Sequence, residues 1–261
     1  MYPHHTQSIQ NVSDYFQRDP EVLALLLGGS IAHGFETPTS DVDIMILVSD
    51  EDHRKRLGNN KVHFFNRELC TYQGGYVDGK YTSPGFLEQV QQMGSEPARF
   101  AFAGSQVLFS RIEGLTEQIR RLAQYPCTAK AERIRRFYAQ FEAWHWYSQE
   151  SLRLKNDYLL GTSLGKFILF SGRLILAHNE LLYPYHKWFL HVLESTADKP
   201  EGLIESIHQL TASHTIENIE ALYEKVKSFQ PWIEGEFSWP TQFMSDSEWN
   251  WMDGRTPVDD L

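Results

Sequence analysis

The chain is poor in cysteine, has no long apolar run and has no excess of positive charge. Only Cys70 and Cys127 are cysteines among its 261 residues, which argues against a disulfide scaffold or a cysteine-rich zinc site. No apolar stretch reads as long enough to span a membrane, and the first ten residues, MYPHHTQSIQ, show no signal-peptide pattern. We therefore expect a cytoplasmic protein with no membrane partner.

The acidic balance bears on the kind of partner. The formal net charge is -10, whereas a protein that follows a nucleic-acid backbone usually presents a basic face. The overall charge therefore gives no strong signal for nucleic acid and fits a small or cationic substrate better. A hydrophobic content of 41% and a charged content of 22% are ordinary for a globular protein.

Two halves of different character follow one another along the chain. We predict a mixed α/β (α+β) domain with a small mixed sheet over residues 1–125 and an all-α helical bundle over residues 126–261. Strands are predicted at 22–27, 42–48, 61–72 and 76–82. Helices are predicted at 11–18, 86–93, 115–123, 129–155, 163–182, 187–196 and 216–229.

The segment after residue 230 is rich in tryptophan. It contains four tryptophans, which are Trp232, Trp239, Trp249 and Trp251. Large aromatic side chains more often pack against a protein than stand in water, so we expect this tail to lie on the body of the chain.

Two carboxylates stand one residue apart at the start of a predicted strand, in "SDVDIMILV". Side chains at i and i+2 of a strand point to the same face, so Asp41 and Asp43 should project side by side. Two like charges this close repel each other, and a divalent cation between them removes that cost. Oxygen ligands suit Mg²⁺ or Mn²⁺. Alternatively, Asp41 caps the preceding loop and Asp43 lies at a solvated strand end.

A glycine-rich turn, Gly28-Gly29-Ser30, follows the first predicted strand. Glycines let backbone N–H groups approach an anion, and a helix start after them is favourable for negative charge. Ser30 is predicted to cap a short helical turn that runs to His33. No P-loop pattern is present, and a turn of this kind is also common as a purely structural feature.

A third acid, Asp78, lies in the predicted strand "GYVDGKY". On a neighbouring strand it would complete a site for two metal ions that clamp the attacking and leaving oxygens of a phosphoryl displacement. It could also accept the proton of an attacking hydroxyl. The alternative is a turn aspartate that precedes Gly79.

Taken together, "GGSIAHGFETPTSDVD" and the later "YVDGKY" resemble the signature of the DNA polymerase β-type nucleotidyltransferase superfamily. The resemblance covers the chain to about residue 85. It implies Mg²⁺-dependent transfer of a nucleoside monophosphate from ATP or another NTP to a hydroxyl. It also implies that Gly29 and Ser30 hold the β- and γ-phosphates, that Asp41 and Asp43 bind the metal, and that Asp78 is a third ligand or the base.

The second half is similar to the helical half of bacterial aminoglycoside adenylyltransferases, through the stretch "SGRLILAHNELLYPYHKWF". That resemblance implies that Lys187 reaches the triphosphate, although a surface lysine at a helix start fits the same pattern. It favours AMP transfer to a small hydroxylated acceptor such as an aminoglycoside. The alternatives are nucleotidyl transfer to a protein or RNA hydroxyl, or a non-catalytic nucleotide-binding regulatory module. A homodimer is compatible with each of these functions.

Overall fold

The computed structural model describes residues 1–254, and it divides into two compact units between Tyr125 and Pro126. The division falls at the position where the sequence predicts a domain boundary. Residues 255–261 of the predicted second domain lie outside the described residues. Each unit has its own apolar core.

The first unit is built on a five-stranded mixed sheet. Strands β2 and β4 run parallel, and the other neighbouring strands are antiparallel. This confirms the predicted small mixed sheet. In space the strand order is β3-β4-β2-β1-β5, so β3 and β5 are the edges. The strands are β1 (Ala24–Leu27), β2 (Val42–Leu47), β3 (His63–Asn66), β4 (Val77–Thr82) and β5 (Gln106–Ser110).

Both faces of this sheet are covered, which explains its continuous apolar strands. Leu25, Leu27 and Ile46 pack with the first helix on one face, and Leu26 and Leu47 belong to a second cluster on the other face. A strand buried on both faces is apolar at every position rather than at alternate ones. The helices of this unit are α1 (Pro3–Gln17), α2 (Gly29–His33), α3 (Asp50–Gly58), α4 (Pro84–Met93), α5 (Glu96–Phe100) and α6 (Leu115–Leu122).

Several predicted boundaries in this unit are wrong. Helix α1 begins at Pro3 rather than at residue 11, with proline at a first-turn position that needs no N–H donor. The predicted strand 61–72 is shortened to β3, because the chain turns after Asn66. Strand β5 was not predicted, since it is only partly buried and lacks a strong apolar alternation.

The second unit is all-helical, as predicted. A buried aromatic and aliphatic core includes Phe141, Phe167, Leu174 and Leu222. The helices are α7 (Lys130–Leu154), α8 (Asp157–His178), α9 (Phe189–Ser195), α10 (Leu203–Ala212), α11 (Ile216–Lys227) and α12 (Trp239–Ser247), and short 3₁₀ turns lie at Cys127–Ala129, His186–Trp188 and Asn250–Asp253.

Two helices of this unit were not predicted, and a third begins earlier than expected. Helix α10 lies between two predicted helices, in a segment for which no element is predicted, and α12 lies in the tryptophan-rich tail. Helix α8 begins at Asp157 instead of residue 163, because the Asn156 side chain accepts a hydrogen bond from the Leu159 N–H and caps it.

By length and composition alone, α8 is long and apolar enough to cross a membrane. The expectation that no stretch reaches that length is therefore wrong. This is weak evidence for a membrane span, because the core helix of a soluble protein passes the same test. Phe167, Leu174 and Ile175 of this helix are fully buried in the core of the second unit.

The tryptophan-rich tail packs only in part. Trp232 is buried and its indole N–H donates to the Val226 carbonyl, whereas Trp249 and Trp251 are exposed. The expected packing of all four tryptophans is wrong for these last two.

Candidate active site

Strand pairing in the first unit brings the three predicted acids together. Asp43 of β2 and Asp78 of β4 are directly opposite each other in the parallel pair, and opposite residues share a face of the sheet. Asp41 lies immediately before β2, two residues from Asp43 and on the same side. One carboxylate oxygen from each of the three lies within 4.8 Å of the other two.

The three carboxylates are half-buried. Asp43 is flanked in β2 by the buried Val42 and Ile44, while the Asp78 side chain keeps 43% of its exposure. Contact with water lowers the cost of holding like charges together. It also leaves the carboxylates open to a ligand.

Gly29 touches this cluster closely, and its identity is dictated by the contact. Its φ is +60°, in the left-handed region, and a Cβ placed on it would lie 1.7 Å from Asp43 Oδ2. The neighbouring Gly28 N–H donates to the Asp43 carbonyl at 2.9 Å. The turn at Gly28 and Gly29 therefore packs directly against Asp43.

Ser30 does not cap the short helix α2. The capping residue is Gly28, and Ser30 is the second helical residue with 5% of its surface exposed. The predicted capping role is therefore wrong. The predicted contact of Gly29 and Ser30 with phosphate stays a prediction.

Two neighbours of the acids were missed by sequence reasoning. His63 Nε2 lies 2.7 Å from Asp78 Oδ1, and the Tyr76 hydroxyl hydrogen-bonds Asp41. The negative charge of Asp41, with burial as a smaller cause, raises the pKa of Tyr76. His63 lies on β3, diagonal to Asp78, so only the strand register reveals the contact.

Lys80 is a third neighbour, two residues after Asp78 on the same face of β4. Surrounding protein lowers the pKa of its ammonium group, and attraction to Asp43 opposes that shift. The lysine therefore lies in the electric field of the acid cluster.

Lys187 lies in the second unit, in the 3₁₀ turn His186–Trp188, with Nζ 5.2 Å from the centre of the Trp188 ring. Its predicted contact with the triphosphate stays a prediction.

The donor set fits a hard divalent cation. Three carboxylates each offer one oxygen within 4.8 Å of the other two, and the neighbouring imidazole of His63 hydrogen-bonds Asp78 instead of joining this group among the described residues. Mg²⁺ and Mn²⁺ prefer such ligands, whereas zinc sites usually include sulfur or nitrogen. Asp41, Asp43 and Asp78 are the residues that would hold the ion.

Comparison with protein families finds a match within the first unit, which contains the three carboxylates. Residues 10–72 match the family described as polymerase beta, nucleotidyltransferase. The match confirms the predicted resemblance to the polymerase β-type nucleotidyltransferases for this segment, which contains Gly29, Asp41 and Asp43. Asp78 lies beyond its end, and the family description names neither a donor nucleotide nor an acceptor.

Comparison with curated protein sequences gives no significant match. Among twelve solved chains that match significantly is a nucleotidyltransferase-like protein from Exiguobacterium sibiricum. It is 12% identical, with 98% of this chain and 83% of that chain covered and a TM-score of 0.48.

Proposed function

We propose that the protein is a metal-dependent nucleotidyltransferase that moves a nucleoside monophosphate from an NTP to a hydroxyl and releases pyrophosphate. The observation that carries this proposal is the register of β2 and β4, which sets Asp43 opposite Asp78 with Asp41 beside them. The family match over residues 10–72 supports it independently.

All three acids would hold the metal in this reaction, and Asp78 would have a second role. Asp41 and Asp43 would hold Mg²⁺ or Mn²⁺ together with Asp78, and the bound ion would supply positive charge against the phosphates. Asp78 would accept the proton of the attacking hydroxyl, and His63 at 2.7 Å holds this carboxylate in one orientation. Tyr76 does the same for Asp41.

The donor we propose is ATP, and Gly29, Ser30 and Lys187 are its proposed contacts. The acidity of the whole chain favours a small hydroxylated acceptor, for which an aminoglycoside is one instance.

Two measurements test nucleotide binding and chemistry separately. Mg²⁺–ATP binding is measured by calorimetry, and pyrophosphate release is followed with aminoglycosides and other hydroxylated compounds as acceptors. We expect Asp43→Ala to abolish both while circular dichroism shows an unchanged fold. Full pyrophosphate release by folded Asp43→Ala would overturn the site. Mg²⁺–ATP binding without release from any of these acceptors would instead favour a protein or RNA hydroxyl as the acceptor, or a regulatory nucleotide-binding module.

A further inference from the structure

The loop that leads to Asp41, residues 34–40, is held by the first helix. The middle of this loop, residues 37–39, is exposed. From α1, His4 Nε2 lies 3.0 Å from the carbonyl oxygen of Pro38. Asp41 lies between this loop and β2, so the sheet holds it only on its C-terminal side. Its position on the other side depends on contacts that the loop makes.

The carbonyl of Ser40, in the peptide bond before Asp41, accepts hydrogen bonds from two side chains. The Tyr72 hydroxyl donates to this oxygen at 2.5 Å, and His5 Nε2 lies 3.1 Å from it. Because a carbonyl oxygen can only accept, His5 carries its hydrogen on Nε2. Since the peptide unit is planar, two donors on its oxygen fix the orientation of the backbone from which Asp41 projects.

His5 is built into the protein as a neutral donor. Its side chain is fully buried, and among the residues that the structure describes its Nδ1 has no hydrogen-bond partner. Burial, followed by the charge of His4, lowers the pKa of His5. A buried nitrogen without a partner costs stability, and a leucine would avoid that cost. We therefore expect the contact of Nε2 with Ser40 to be the reason for a histidine at this position.

Tyr72 is held in place by the same helix. Its ring centre is 4.5 Å from that of His4 and 5.2 Å from that of His5. The neighbouring Thr71 N–H donates to Ser8 Oγ of α1 at 3.1 Å. Burial is the main cause that raises the pKa of the Tyr72 hydroxyl, so this group stays protonated and remains a donor at neutral pH.

Asp41 is thus held at both ends. The Tyr76 hydroxyl bonds its carboxylate, whereas Tyr72 and His5 act on the backbone before it. Residues that orient a metal ligand without touching the ion typically change metal affinity by about 10–100-fold. The contacts of the Ser40 carbonyl have the geometry for this effect.

We propose that His5 and Tyr72 are positioning residues for the metal site. They hold the Ser40 carbonyl, and thereby Asp41, where its carboxylate can share one ion with the other two acids. The inference rests on the proposed nucleotidyltransferase function, since the ion is the one that this reaction requires. Both residues act through the backbone, and neither is assigned as a ligand.

The test measures the affinity of the full chain for Mn²⁺ in the presence of ATP, by electron paramagnetic resonance. We expect Tyr72→Phe, which removes only the hydroxyl, to weaken Mn²⁺ binding roughly tenfold. His5→Leu should have a similar effect. His5→Gln should restore most of the affinity, because its amide nitrogen can donate in place of Nε2.

The matched controls are Tyr223→Phe and His145→Leu in the second unit. Each makes the same change at a largely buried side chain and removes a hydrogen bond, to Glu142 and to Glu220 respectively. Both should bind Mn²⁺ like the wild type, even where their melting temperatures fall. Amide hydrogen exchange over residues 34–43 should be faster in Tyr72→Phe and unchanged in Tyr223→Phe.

The inference is overturned if Tyr72→Phe and His5→Leu bind Mn²⁺ as tightly as their controls. A lower melting temperature with unchanged Mn²⁺ affinity has the same meaning, because the two donors would then stabilise only the fold. Equal losses in His5→Leu and His5→Gln would also contradict it, since the loss would follow the ring and not the donor.

The wild type separates this inference from the proposed function. If it binds Mn²⁺ with ATP in a manner that depends on Asp43, unaffected variants refute the positioning role alone. If the folded wild type binds no Mn²⁺, the proposed nucleotidyltransferase site is refuted, and the positioning role with it.

Discussion

Each of the two units contains acids in largely apolar surroundings, but the acids are held differently. In the second unit, Glu142 is 12% exposed and accepts a hydrogen bond from the Tyr223 hydroxyl at 2.8 Å. Tyr138 also hydrogen-bonds Glu142, and Lys227 Nζ lies 3.9 Å from it. In the first unit, the three acids have one another as near neighbours.

The comparison distinguishes an acid that stabilises the fold from acids that are arranged to bind a ligand. Glu142 is surrounded by donors from its own unit, so its charge is compensated in the folded chain. Asp41, Asp43 and Asp78 lie close enough together for their negative charges to repel one another. This repulsion destabilises the folded state unless a cation binds between them. The same kind of side chain, a carboxylate, therefore has opposite consequences for stability in the two units.

The largest effect is expected from Asp43→Asn. Because the substitution removes one ligand charge and one of three repelling carboxylates, nucleotidyl transfer should fall at least about a thousandfold while the melting temperature stays equal or increases. Steady-state rates and calorimetry check this. A clear drop in melting temperature would show that Asp43 stabilises the fold and is not part of a ligand site.

The second largest effect is expected from Gly29→Ala. Its Cβ would lie 1.7 Å from Asp43 Oδ2, so the carboxylate must move and Mn²⁺ affinity should fall. Gly34→Ala is the matched control, because Gly34 has φ +73° but a Cβ added there would meet no atom within 4 Å. Both variants should lose about 1–2 kcal/mol from the left-handed backbone. Equal Mn²⁺ affinity in the two would contradict the close contact.

Glu142→Leu should affect stability alone. It leaves the hydroxyls of Tyr138 and Tyr223 without their acceptor, at a cost of about 1–3 kcal/mol for each buried group left unsatisfied. Glu150→Leu on the same helix is the control, since Glu150 pairs with Arg153 at the surface, where ion pairs contribute little. Denaturant unfolding measures both, and Mn²⁺ affinity should be unchanged in each.

The pH dependence of the second unit should show a smaller effect. Burial, then the hydrogen bond to Glu142, raises the pKa of Tyr223 far above its ordinary value, and the same causes raise the pKa of Tyr138. The folded state thus keeps protons that the unfolded chain releases above pH about 10. Stability is fully present below that pH and falls as pH rises beyond it.

Tyr223→Phe should reduce this alkaline loss of stability, whereas Tyr158→Phe, at a tyrosine that is 85% exposed, should not. Unfolding by urea between about pH 8 and pH 11, a range that brackets the ordinary tyrosine pKa, checks it. Identical pH profiles for the two variants would refute the raised pKa of Tyr223.

The sequence predicts the chemistry of the site better than its surroundings. Asp41, Asp43 and Asp78 could be found because their i, i+2 spacing and strand context are local properties of the chain. His63 and Tyr76 could not, because their contacts depend on which strands pair and in what register.

The same distinction explains the fold. Apolar runs such as those of β1 and β2 were recognised because burial on both faces leaves a strong pattern. Strand β5 was missed because it is an edge strand with exposed ends, and its pairing with β1 also contains a register shift between Leu25 and Leu26. A strand of that kind is fixed by its partner more than by its own residues.

The central claim is that Asp41, Asp43 and Asp78 form one metal site, and Mn²⁺ binding followed by electron paramagnetic resonance tests it most directly. The wild type should bind Mn²⁺ in the presence of ATP, Asp43→Asn should lose that binding, and Glu142→Leu should retain it. Equal Mn²⁺ binding by the wild type and Asp43→Asn, or none by the wild type, would contradict the account.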